Sequence, residues 1–161
     1  MPYNVLFLCT GNSSRLIMAE AIFNHKGKPD FVAYGAGSHP KGTIHPGALK
    51  QLELAHLSTK GLRSKSWDEF AAPSAPKMDF VFTLCDEAAK ETCPIWPGQP
   101  MTAHWGLADP GSIGRTPEET EKVFRAAFMT IDRRISLFLS LPLASLEILA
   151  IQREINRIGK Q

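Results

Sequence analysis

Cys9 and Arg15 have five residues between them, Thr10-Gly11-Asn12-Ser13-Ser14, and that pairing has a chemical use. A thiolate is a nucleophile, and a guanidinium can fork onto two oxygens of a tetrahedral anion. A short glycine-containing loop between them can curl until successive backbone N–H groups converge. Those donors then add to the positive end of a helix that begins at Arg15. The segment is therefore expected to cradle an oxyanion with Thr10, Gly11, Asn12, Ser13, Ser14 and Arg15, and to attack its central atom through Cys9. The same positive field is expected to lower the Cys9 pKa. Taken singly, Cys9 would read as a small buried hydrophobe and Arg15 as a surface cation; their joint placement around Gly11 and Asn12 argues for chemistry instead.

The elements that must hold this loop are legible around it. Val5-Leu6-Phe7-Leu8 is an unbroken apolar run leading into Cys9, as expected of a strand buried on both faces. Helical periodicity follows at once, with Ile17, Met18, Ala21 and Ile22 on one side and Gly27 as a stop. A second strand is expected from Phe31 to Ala36, a helix from Pro46 to Ala55 and a buried strand from Met78 to Leu84, with an exposed loop from Ala71 to Pro76. Such alternation indicates an α/β parallel sheet, whose carboxyl edge gathers the site loops. Cys85 directly follows the third strand and so opens on the same edge as Cys9.

Thr116-Pro117-Glu118-Glu119 starts another helix, with Thr116 as N-cap and Glu119 as the returning carboxylate of a capping box. Phe124, Phe128, Ile131, Ile135 and Phe138 mark its inward face as core. Pro142 interrupts it, and Leu146, Leu149, Ile155 and Ile158 suggest a last amphipathic helix.

The chain has 161 residues, 43% of them hydrophobic, which suits one domain. A net charge of +2 leaves no footprint for nucleic acid or a membrane surface. The start lacks the pattern of a signal peptide, and no apolar run approaches the roughly 20 residues of a membrane span, so a cytoplasmic location is expected. Three cysteines there do not make a disulfide framework, and without a Cys-x-x-Cys pair they do not suggest zinc. Thiol chemistry without a metal or organic cofactor is the expectation.

Further motifs follow the Cys9 loop in order: Met18-Ala19-Glu20, Tyr34-Gly35-Ala36-Gly37-Ser38, Thr83-Leu84-Cys85, Cys93-Pro94-Ile95, His104-Trp105-Gly106 and Asp109-Pro110. With them the chain resembles the low-molecular-weight protein tyrosine phosphatase superfamily, and particularly its arsenate reductase branch. The resemblance implies a single α/β domain with a central four-stranded parallel sheet flanked by helices. Residues 1–140 would form that domain, and residues 141–161 a C-terminal helical extension packed on it.

Both branches imply Cys9 as nucleophile, Arg15 as anion clamp and Asp109 as general acid to a departing oxygen. A phosphatase hydrolyses the covalent adduct; a reductase attacks Cys9 with a second thiol, expelling arsenite and leaving a disulfide. The resemblance assigns that attack to Cys85, and the next to Cys93 or to an external thiol, with thioredoxin or glutaredoxin and glutathione as reductants. Arsenate would be the substrate, with phosphate or sulfate as analogues. Tyrosine phosphatases place aromatic residues just after the Asp-Pro pair, where this chain has Gly111 and Ser112. The alternatives kept are a phosphatase of tyrosine or small phosphomonoesters, and a low-turnover oxyanion-binding or redox-sensing protein.

Two departures carry expectations. Leu16 replaces a serine that can stabilise the thiolate, which should leave the Cys9 pKa higher. Gly35 and Lys65 fall where some reductases place a serine and an aspartate around potassium, so the Lys65 ammonium is expected to pair with Glu20 and to make the cation unnecessary.

Overall fold

The apolar run before the loop forms β1, Tyr3–Cys9, with Val5 to Leu8 completely buried. The computed structural model describes residues 2–11, 14–85 and 99–161, so the expectations for Asn12, Ser13 and Cys93 lie outside the described residues. Helix α1, Arg15–Lys26, leads to β2, Phe31–Gly37, and then to α2, Pro46–Leu54. Strand β3 spans Phe80–Thr83 and β4 spans Met101–His104. Helix α3, Pro117–Leu139, and α4, Ile148–Ile158, complete the order.

All described strand pairs are parallel, in the order β2-β1-β3-β4. The register sets Cys9 beside Gly37 and Leu8 beside Thr83, so the chain leaves β1, β2 and β3 along one edge. Successive crossovers from β1 and β2 run to opposite sides of β1. That places Cys9 at the switch point where α/β sheets open a crevice.

One face of the sheet buries Val5, Phe7, Phe80 and Phe82 beneath the helices; the other buries Leu6, Leu8 and Val81 against Trp67, Phe70 and Met78. Trp67 and Phe70 belong to a short 3-10 turn capped by the Ser66 hydroxyl. Burial along α1 is continuous from Leu16 to Phe23 and includes Glu20. The helix is therefore buried all round rather than along one stripe, packed against β2, α2 and α3.

The Thr116 cap forms as expected, its hydroxyl accepting the Glu119 N–H at 3.1 Å. The Glu119 carboxylate returns to the N–H of Arg115, one residue earlier than a capping box requires. In α4 the buried residues are Ile151, Ile155 and Ile158, while Leu149 is 77% exposed. Leu149 lies six positions before Ile155, about 240° around a helix with 3.6 residues per turn, so it points to solvent. Strand β4, for which the sequence carries no clear signal, alternates exposed Thr102 and His104 with buried Ala103.

Candidate active site

The carbonyls of the Cys9 loop are tied down from behind. Ser38 N–H donates to the Cys9 carbonyl at 3.2 Å, His39 N–H to Thr10 at 2.9 Å and Lys41 N–H to Gly11 at 2.9 Å. With its carbonyls held by the chain leaving β2, the loop can turn N–H groups toward the opposite side, which is the geometry an anion needs. Ser14 is buried and immediately precedes α1, and its carbonyl accepts the Met18 N–H at 3.1 Å.

Cys9, Thr10, Gly11, Ser14, Arg15 and Asp109 all line one cleft of about 740 Å³. Arg15 reaches across it, its Nη1 donating to the Leu107 carbonyl at 2.9 Å, which leaves the rest of the guanidinium for an anion. Asp109 caps the 3-10 turn Pro110–Ser112, and its Oδ1 accepts the Gly111 N–H at 3.0 Å. Gly111 and Ser112 build no aromatic wall here.

Cys85 meets the loop at its floor. The Thr10 N–H donates to its Sγ at 3.3 Å, and the Thr10 hydroxyl lies 3.5 Å from the same sulfur. Cys9 and Cys85 are both buried and unbridged. Cys85, as acceptor for the Cys9 thiol proton, and burial push the Cys9 thiol far above its usual range, while Arg15 and the Thr10 backbone pull it down and do not prevail. The expectation of a lowered Cys9 pKa is corrected by this neighbour: Arg15 acts in the expected direction but is outweighed.

Behind α1, Lys65 and Glu20 form a buried pair, Nζ to Oε1 at 3.1 Å, and the ammonium also reaches the Arg63 carbonyl at 3.4 Å. Burial pushes the Glu20 carboxyl up, and the lysine opposes this. A Cβ on Gly35 would come within 3.1 Å of the same carboxylate oxygen. The ammonium thus stands where the sequence comparison anticipated it.

His104 lines the cleft and lies 2.8 Å, Nδ1 to Oγ1, from Thr83. Trp105 turns instead into the core, stacked 3.9 Å from Phe82. His39 and His45 have local partners, the Ser38 hydroxyl and the Gly47 N–H. Sequence reasoning missed that His39 and Lys41 line the cleft, although both follow the carboxyl end of β2. It also missed Arg134, buried within the apolar stripe of α3; its signal was a cation three positions beyond Ile131 and four before Phe138.

Residues 4–151 match the family model described as low molecular weight phosphotyrosine protein phosphatase. A protein named arsenate reductase from Shouchella clausii is 34% identical over 134 residues, which are 83% of this chain and 93% of that protein. Among solved structures, one described as an arsenate reductase in oxidized state superposes with a TM-score of 0.69 at 25% identity, covering 85% of this chain and 96% of that one. A low molecular weight protein tyrosine phosphatase from T. tengcongensis gives 0.62 at 25% identity, covering 83% and 98%.

Proposed function

The chain belongs to the low molecular weight phosphotyrosine protein phosphatase family, and within it we propose that it is an arsenate reductase working through cysteine thiols. It is an oxidoreductase that takes arsenate to arsenite. The observation that carries the reading is the second thiol, Cys85, buried at the loop floor with its sulfur against the N–H and hydroxyl of Thr10, the residue next to Cys9 in the chain.

In the proposed cycle arsenate settles in the loop against Arg15, and the ionised Cys9 sulfur attacks arsenic. A hydroxyl of the hydrogen arsenate leaves as water with one proton from Asp109 as the sulfur–arsenic bond forms. The Cys85 thiolate then attacks Cys9 Sγ; the sulfur–arsenic bond breaks, its electron pair stays on arsenic, and arsenite departs. The two sulfurs have together lost two electrons and are joined as a disulfide. An external thiol reductant reopens that disulfide, either through Cys93 or directly. A cleft of this size leaves room for a small thiol such as glutathione beside the loop, and thioredoxin is the reductant that an intramolecular relay to Cys93 would serve.

Phosphatase action is the second reading, supported by the shared loop and by Asp109 lining the same cleft. The test follows NADPH consumption with arsenate and a thioredoxin or glutaredoxin regenerating system, with para-nitrophenyl phosphate assayed in parallel. Cys85→Ser is expected to abolish arsenate turnover and to spare any phosphatase activity, whereas Cys9→Ser removes both. Full arsenate turnover in Cys85→Ser would sink the relay. Binding of oxyanion with neither activity would favour the binding or sensing module.

A further inference from the structure

Between β4 and Asp109 the main chain is held from two sides. The N–H groups of Trp105 and Leu107 donate to the carbonyls of Thr83 and Leu84 at 2.7 and 3.1 Å, tying the segment to the end of β3 beside Cys85. The three carbonyls of residues 105, 106 and 107 all accept from arginines. Arg134 Nη1 takes Trp105 at 2.6 Å and Gly106 at 3.1 Å, and Arg15 Nη1 takes Leu107 at 2.9 Å. Arg134 is 6% exposed, and its Nη2 reaches the main-chain oxygen of Gln161 at 3.3 Å.

The end of α4 is built into the same junction. The indole Nε1 of Trp105 donates to the Ile155 carbonyl at 2.9 Å, and Gly159 lines the cleft. A Cβ on Gly159 would overlap the His104 carbonyl and come within 2.9 Å of the Trp105 ring. Gly159 and Gln161 lie beyond the residues that match the family model.

We propose that Arg134 is a positioning residue of the oxyanion site: with the C-terminal end of α4 it fixes residues 105–107, so that the Leu107 carbonyl holds Arg15 in its clamping orientation. A buried arginine serving only the fold would need partners anywhere in the core. This one places one nitrogen, Nη1, on the two carbonyls immediately preceding the one that holds Arg15, and the other on Gln161. A lysine ammonium carries three N–H donors on a single nitrogen, so it can meet the two carbonyls but not Gln161 as well in the same geometry. The inference rests on the reading of the Cys9 loop as an oxyanion site, and is independent of whether the bound anion is reduced.

The experiment is calorimetric titration of the whole chain with inorganic phosphate, each variant held well below its own Tm and its fold checked by circular dichroism. Arg134→Met is expected to raise the phosphate Kd at least tenfold, and Arg134→Lys to recover part of that loss. Gly159→Val keeps every arginine but displaces the end of α4, and should weaken phosphate several-fold. A phosphate Kd within twofold of the natural protein in a folded Arg134→Met overturns the proposal, however far Tm falls. If Arg134→Met does not fold, unchanged affinity in both Arg134→Lys and Gly159→Val overturns it equally. Absence of phosphate binding by the natural protein would instead overturn the oxyanion reading, and the proposal with it.

Discussion

Cys9 shows how one neighbour can reverse what a loop does to its nucleophile. Arg15 and the loop backbone favour the thiolate, yet Cys85, as acceptor for the Cys9 S–H, and burial favour the neutral thiol. Ionisation of Cys9 is therefore expected to accompany loosening of its contact with Cys85. Replacing Cys85 by alanine removes the first cause of the upward shift. Iodoacetamide should then alkylate Cys9 faster at pH 7.5, with thiolate absorbance rising at lower pH; an unchanged rate would count against the contact. The raised pKa also has a stability consequence. Folding favours the protonated thiol, so that contribution is complete below the unfolded thiol pKa of about 8.5 and is lost as pH rises above it, by about 1.4 kcal/mol per unit. Cys9→Ala should flatten the fall of Tm between pH 8.5 and 10.5. Leu16 lies wholly inside the core, so its place in the first turn of α1 is also a packing position.

At the scale of elements, α1 would carry the positive end of the proposed anion site and is itself held by a buried ion pair. Lys65 comes from the segment alongside the end of β2, where Gly37 N–H donates to the Lys65 carbonyl at 2.9 Å, and its ammonium meets Glu20 on α1. Lys65→Met would leave the Glu20 carboxylate buried without its cation, at a cost of about 3–5 kcal/mol. The double change Glu20→Gln with Lys65→Met should recover much of the lost Tm; additive losses would show that the pair is not coupled. The natural protein should show no rise in activity or Tm with potassium at fixed ionic strength. The fixed ammonium already occupies the position beside Glu20, and a mobile cation would be repelled from it.

Across the whole molecule, one aromatic cluster joins the sheet to the helices that carry the site. Phe138 of α3 contacts the rings of Phe23 on α1, Phe80 and Phe82 on β3, and Trp105 just after β4, at centroid distances from 5.0 to 6.1 Å. Phe138→Ala should destabilise by about 3–5 kcal/mol through lost contacts and the cavity left behind. In a chain of this length that is a fall in Tm of about 6–20 °C. Phosphate affinity measured below the new Tm should fall less than in Arg134→Met, because the ring reaches the 105–107 segment only through the Trp105 side chain; a tenfold loss would mean that the cluster also positions the loop.

Local pattern determined much of this protein. A continuous apolar run, a thiol at its end, a glycine loop and an arginine opening a helix are consecutive in sequence, so β1, the Cys9 loop and α1 were legible before any contact was known. Resemblance added Asp109 and the pairing of Lys65 with Glu20, because ordered motifs carry spatial relations that periodicity does not. Tertiary structure alone decided the rest. Strand β4 is short and mixed in polarity, and takes its place only by pairing with β3. Leu149 faces water because the phase of α4 is set by Ile151, Ile155 and Ile158 against β4 and α3. The direction of the Cys9 shift depends on a sulfur 76 residues away in the chain, brought near by parallel register. The role proposed for Arg134 depends on carbonyls of Trp105 and Gly106, whose directions exist only after the strand has ended and turned. Burial and hydrogen-bond direction are properties of the packed chain, which no single stretch of residues contains.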